Sequence, residues 1–237
     1  MRNFLLSLSF FVAAAATISS AEAQTRTYSP SSVRYTSSST SYENFWSVRA
    51  GVSFSNLFND FRASRYQTGY NGAVLYNISI SESSPIYLQT GLGLSMKGAR
   101  NSRILADAPK SQFKSYEAEI PVTIAFELAT GRHSAIIPEI GVYYSYGFCG
   151  TLGANGAFYR PYEEQEIVID DWGTINSRLV SRSDFGMRFG LSYLMGRYLM
   201  GFAYEAGLLN CFASDLQDLG YKGSSGSWSI NVGYRFN

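Results

Sequence analysis

Eight stretches of this chain alternate apolar and polar residues with a period of two, and the connections between them are short and long by turns. In the clearest, residues 86–97, Ile86, Leu88, Thr90, Leu92, Leu94 and Met96 share one face, and Tyr87, Gln89, Gly91, Gly93, Ser95 and Lys97 share the other. Successive side chains of a strand point to opposite faces, so this is a strand with one apolar side. Residues 45–55, 70–80, 115–127, 135–148, 184–194, 198–209 and 227–236 read the same way. Their apolar faces carry almost no charge, and their polar faces carry both signs.

A soluble antiparallel sandwich also alternates, but it turns its charged side to water and keeps its apolar side in one core. With 18 Tyr and 16 Phe, this chain has more aromatic surface than one modest core takes. No stretch beyond the first residues is a continuous apolar run long enough for a spanning helix. A lipid-spanning chain built from strands must close them into a barrel, because no water satisfies a free edge there. The expected fold is all-β, an eight-stranded antiparallel up-and-down transmembrane β-barrel with apolar residues outside.

The start of the chain sets the compartment. Residues 1–23 have a positive start, an apolar run over 4–18 and small residues ending at Ala23, the pattern of a cleaved secretory signal. Residues 24–44, rich in Ser, Thr and Tyr, read as a flexible periplasmic segment, and 45–237 as the barrel. Connections 81–84, 129–133 and 195–197 are short, whereas 55–69, 99–113, 149–183 and 210–226 are long. Short periplasmic turns and long outer loops are the habit of bacterial outer-membrane barrels, which places this chain in that membrane. Within the third long connection, 163–173 and 175–182 could pair as a hairpin, above the membrane or as two further strands of a ten-stranded wall, and the sequence leaves this open. Pro121, inside the fourth strand, loses a ladder hydrogen bond and hints at a bulge.

Residues 87–98, 119–128, 138–148 and 184–193 together resemble the PorT-like outer-membrane barrel proteins of Bacteroidetes. Tyr116, Glu119, Ile120 and Pro121 match one strand of that pattern, and Pro138, Glu139 and Gly141 resemble the next. The resemblance runs from about Phe45 to Phe236 and implies an eight-stranded barrel of undefined function, with some relatives serving protein secretion. The terminal Tyr234, Arg235 and Phe236 resemble the aromatic signal read by barrel-insertion machinery, followed here by Asn237.

Little in the chain points to catalysis. The single histidine, His133, falls in a short periplasmic turn, away from the outer rim where barrel hydrolases place theirs. There is no Gly-x-Ser-x-Gly elbow, no His/Cys metal spacing and no phosphate-binding glycine loop. The chain is expected to be no enzyme and to take no cofactor and no metal. Its most informative polar set is inward: Arg49, Lys97, Arg188 and Arg235 against Glu117, Glu119, Glu139 and Glu205. An eight-stranded barrel has room only for side chains, so these are expected to fill the lumen as ion pairs, with a narrow ion path as the competing reading. Cys149 and Cys211, in the third and fourth outer loops, are expected to form a disulfide in an oxidising compartment, with two unpaired thiols as the alternative. The net charge of +1 carries no message about nucleic acid, which would need a clustered basic surface, and no nucleic acid is expected as a partner. The expected partners are outer-membrane lipid and an unknown protein or surface ligand at the outer loops, with the barrel itself a monomer. The function that follows is presentation of those loops or envelope stabilisation. The alternative is a transport or secretion-associated barrel, a narrow channel or a type IX secretion-like component.

Overall fold

The computed structural model describes residues 42–59, 65–81, 83–100, 111–154, 157–169 and 173–236. The expected signal peptide and all of the periplasmic segment before Tyr42 lie outside them. Twelve strands follow one another: β1 (Phe45–Asn59), β2 (Arg65–Ser81), β3 (Ser84–Arg100), β4 (Ser111–Phe126), β5 (Leu128–Gly131), β6 (Ser134–Ala154), β7 (Ala157–Tyr159), β8 (Gln165–Ile169), β9 (Gly173–Ser177), β10 (Ser183–Met195), β11 (Tyr198–Gly207) and β12 (Gly223–Phe236). One short helix, α1 (Ser214–Asp218), lies between β11 and β12.

Eight strands make the wall. β1 pairs with β2, β2 with β3, β3 with β4, β4 with β6, β6 with β10, β10 with β11, β11 with β12, and β12 returns to β1, all antiparallel. No edge is left among these strands, which is what lipid demands of a sheet. β5 continues β4 beyond a break at Glu127 and pairs with the foot of β6, and β7 pairs with its top. Gly196, at φ 63°, makes the two-residue turn between β10 and β11 that a right-twisted hairpin favours.

The expected faces are the observed ones. Leu92, Leu94, Val122, Ile140, Leu191, Ile230 and Val232 are exposed on the outside of the wall, while Ser47, Ser53, Asn77, Gln89, Thr123, Glu139 and Arg188 are buried within. Aromatic belts bound the aliphatic zone at both ends. Near the short turns, Trp46 and Tyr76 rings lie 4.7 Å apart and Tyr198 and Tyr234 rings 5.6 Å apart. Near the long connections, Tyr204 and Trp228 rings lie 4.1 Å apart and Tyr70 and Tyr116 rings 6.4 Å apart. An apolar band between aromatic girdles is the lipid-facing surface of an outer-membrane barrel, and the chain is one.

Two expectations change. The ladder loses contact for two positions beside Pro121, between Thr90↔Val122 and Gly93↔Glu119, but its register is kept. Register shifts fall elsewhere: in the β2–β3 ladder between Tyr66 and Asn71 and between Ser79 and Ser81, and in the β4–β6 ladder, where Tyr116 pairs with Cys149 and Glu117 with Gly147, so that Phe148 is the extra residue of β6. The first two long connections also shrink, because β1 runs on to Asn59, β2 begins at Arg65, β3 reaches Arg100 and β4 begins at Ser111. A hairpin does form in the third connection, as β8 and β9, which among the described residues pair only with each other and form no part of the wall.

Candidate functional site: the layered lumen and its outer cap

The lumen is stacked in three layers. At the short-turn end, Phe45, Tyr87, Ala125, Ala135, Ile137, Leu194 and Leu199 form an apolar floor. These residues sit on the inward register of six strands, where the alternation would otherwise place polar groups. The Tyr87 ring meets Phe45 at 5.2 Å and Tyr42, just before β1, at 6.3 Å. Arg235 lies 3.7 Å over the Phe45 ring and pairs with Glu127 at 3.0 Å.

Above the floor lies the charged layer. Arg49 forks onto Glu139, with Nη2 at 2.7 Å from Oε1 and Nη1 donating to Oε2 at 3.0 Å, and Ser192 donates to the same carboxylate at 3.2 Å. Lys97 Nζ lies 2.9 Å from Glu205, 3.2 Å from Glu119 and 3.6 Å from Glu117. Arg188 bridges Glu119, at 3.0 Å, and Glu205, its direct cross-strand partner. Glu117 also accepts from Ser115 at 2.9 Å and Ser145 at 2.8 Å. The Tyr143 ring packs 4.5 Å from Lys97 Nζ, and its hydroxyl donates to Asp184 at 3.0 Å. Glycine makes the room: Gly186 is the partner of Tyr143, and a Cβ there would meet that ring at 2.6 Å. A cavity of about 30 Å³ beside Asn71, Ser95, Lys97 and Asn231 has room for about one or two water molecules.

The eight charged residues expected in the lumen are therefore all in it, and seven form one layer. Arg235 is the exception: it sits at the floor on Glu127, which also faces inward but was not expected to join the ion pairs.

The third layer is a cap. Leu57, Ala99, Phe113 and Leu152 at the upper ends of the wall pack with Tyr162, Leu179, Val180, Phe212 and Leu216 from the connections above. The two long connections are laced together by the Val180↔Phe212 bridge and by Ser181 N donating to Cys211 O at 2.8 Å. Arg182 donates to the Tyr162 carbonyl at 3.0 Å, and the Tyr162 hydroxyl hydrogen-bonds Ser115 on the wall. α1 contributes Leu216, its one buried residue. The cap's loop residues show no period in sequence, so no strand or helix pattern announces them.

The expected Cys149–Cys211 disulfide is not formed: both cysteines are free. The bulge at Phe148 explains it. One extra residue turns Cys149 to the outside of the wall beside Tyr116, where it is exposed, while Cys211 is packed against the cap. Burial, with Asp184 adding to it, pushes the Cys211 thiol up to about 12. In detergent micelles a maleimide at pH 8 is expected to label Cys149 and to reach Cys211 only after denaturation. Equal labelling of both thiols in the folded protein would contradict this placement. His133 lies exposed in the turn between β5 and β6, at the floor end, where its carbonyl accepts from Gly196 N at 2.6 Å. Among the described residues no three His, Cys, Asp or Glu side chains are grouped to hold a metal.

No family model matches the chain, and no curated protein does. Solved barrels do resemble it. Ail, the attachment invasion locus protein of Yersinia pestis, solved in complex with the heparin analogue sucrose octasulfate, aligns over 82% of this chain and 100% of its own at 12% identity and a TM-score of 0.43. Neisserial surface protein A aligns over 81% and 97% at 14% identity and 0.45. A major outer membrane protein of Thermus thermophilus aligns over 82% and 100% at 14% identity and 0.47.

Proposed function

We propose that this chain is a closed, non-conducting barrel that works at its outer surface, presenting a rigid capped platform for a protein or surface ligand, or stabilising the envelope, without enzymatic chemistry. The observation that carries this reading is the unbroken stacking of apolar floor, charged layer and apolar cap. An ion crossing the lumen would have to displace Lys97 or Arg188 from buried carboxylates, at the cost of leaving charges unpaired in a low-dielectric interior. It would then have to pass two layers built largely of apolar side chains. The polar lumen thus supports the wall, and what is left for recognition is the cap with the β8–β9 hairpin above it. The resemblance to PorT-like proteins fits a barrel of this size and leaves its partner open. We read it as a monomer in outer-membrane lipid, since the wall closes within one chain.

The test is conductance. The purified full chain in a planar bilayer is expected to show no steady current. Reproducible single-channel steps would overturn the sealed lumen and promote the narrow-channel alternative. Cross-linking of the cap to a protein-translocation component in cells would instead promote the secretion alternative.

A further inference from the structure

We propose that the outer rim of β2, β3 and β4 is a docking site for an anionic phosphate on an outer-leaflet lipid headgroup, held by Arg65, Arg100 and Lys114. Arg65 and Arg100 are direct cross-strand partners, and Lys114 pairs with Gly98, two positions along β3 from Arg100. Like charges directly opposite each other weaken an antiparallel pair. A sheet that keeps three cations together gains from an anion between them. No carboxylate among the described residues forms a salt bridge with any of the three, although every other strand cation of the wall has such a partner.

The arrangement is built rather than incidental. Arg100 is exposed, yet its Nε donates to Gln67 Oε1 at 2.9 Å, and Gln112 Nε2 donates to the same oxygen at 2.8 Å. Gln67 is only 2% exposed, and its own Nε2 donates to the Thr68 carbonyl at 2.7 Å. A buried amide thus fixes the inner N–H of the guanidinium and leaves the terminal nitrogens for a ligand. That planar fork takes phosphate oxygens in pairs, which a loose lysine does not.

The depth points to lipid. Directly below the cluster, the rings of Tyr70 and Tyr116 approach over Met96, which lies on the lipid-facing register of β3 yet is only 7% exposed. That aromatic shelf marks the membrane interface. Arg100 is four residues further along β3, about 13 Å of strand and less once tilted, which sets it on the headgroup side of that shelf, outside the hydrocarbon. An acyl chain below such a phosphate runs down the exposed aliphatic wall through Leu94 and Leu92.

This inference rests on the membrane-spanning wall and not on the sealed lumen, so a conducting barrel would leave it standing. The test uses the full chain in maltoside micelles with native mass spectrometry. Phosphatidic acid, which carries a phosphomonoester, is expected to be retained, and phosphatidylcholine is not. Replacing Arg65→Gln and Arg100→Gln together is expected to weaken phosphatidic acid binding at least about tenfold, near the value of one charged hydrogen bond. Arg132→Gln, in the exposed turn at the floor end, is expected to bind as the parent does. Heat-modifiable mobility on a gel confirms that each variant keeps its barrel. Unchanged binding by the folded double variant would overturn the site. Displacement of the lipid by an equal concentration of inorganic phosphate would overturn its assignment to lipid.

Discussion

Replacing Arg188 by Met is expected to destabilise the folded barrel by about 3–5 kcal/mol, the usual cost of removing one member of a buried ion pair. Arg188 is 7% exposed and bridges two carboxylates, Glu119 and Glu205, each of which is also buried. Without it those two share Lys97 alone, and Lys97 already faces Glu117. Methionine fills much of the same volume, so the loss is electrostatic rather than a cavity. A second change, Glu205→Gln, made on the Arg188→Met background, is expected to recover a good part of the loss, because it removes the charge left without its partner. Urea unfolding in lipid vesicles, followed by tryptophan fluorescence, measures both. A single variant within about 1 kcal/mol of the parent would mean that water reaches the layer and screens it, contrary to the sealed lumen.

The second large effect is on the other side of the wall. Arg at Val122 or at Leu92 is expected to cost about 2–4 kcal/mol, because both positions lie in the aliphatic zone between the two girdles. Val122 is 42% and Leu92 58% exposed, so neither substitution disturbs a packed core. The whole penalty comes from placing a charge in hydrocarbon. The control is Thr151→Arg, exposed on β6 above the bulge, where the same side chain reaches the interface and is expected to cost about 0–1 kcal/mol. Measured in the same vesicles, equal stabilities for the three variants would show that the outward face is not the lipid face.

What the sequence revealed, and what it hid, follows from where lipid acts. Inside the membrane, hydrocarbon outside and a crowded lumen inside force alternation, so Ile86 to Met96 or Trp228 to Phe236 are read residue by residue. Above the interface the outer face meets water while the inner face packs against the apolar cap, so polar-in, apolar-out alternation is no longer demanded. That is why the upper ends of β1 to β4 read as loops although their strands run on, the β2–β3 ladder with a register shift between Tyr66 and Asn71. The cap stayed hidden for a related reason: Leu179, Val180, Phe212 and Leu216 gather on the lumen mouth from irregular chain, and burial without a period leaves no pattern. The inward charges were legible as a set because only the lumen tolerates them. Their pairings were not, since Arg235 finds Glu127 across the barrel through the closure of the wall and not through any local spacing. The disulfide failed on a single inserted residue. A bulge at Phe148 reverses the facing of everything after it on β6, and no composition rule marks where one extra residue will sit.

The pairing of β1 with β12 bears on the order in which the molecule can be made. It runs from Trp46↔Phe236 to Asn59↔Gly223, joining the two ends of the barrel sequence. Every other wall junction joins strands consecutive around the wall, across a short turn or, as between β6 and β10, a longer outer connection. This one closes a loop of nearly the whole domain, and contacts between chain ends are the slowest to find one another. Until they meet, the nascent wall has two raw edges, each able to pair with another chain. Assembly is therefore gated by the last strand to arrive, and a lesion in β12 is expected to strand a nearly finished molecule in an aggregation-prone, unclosed form.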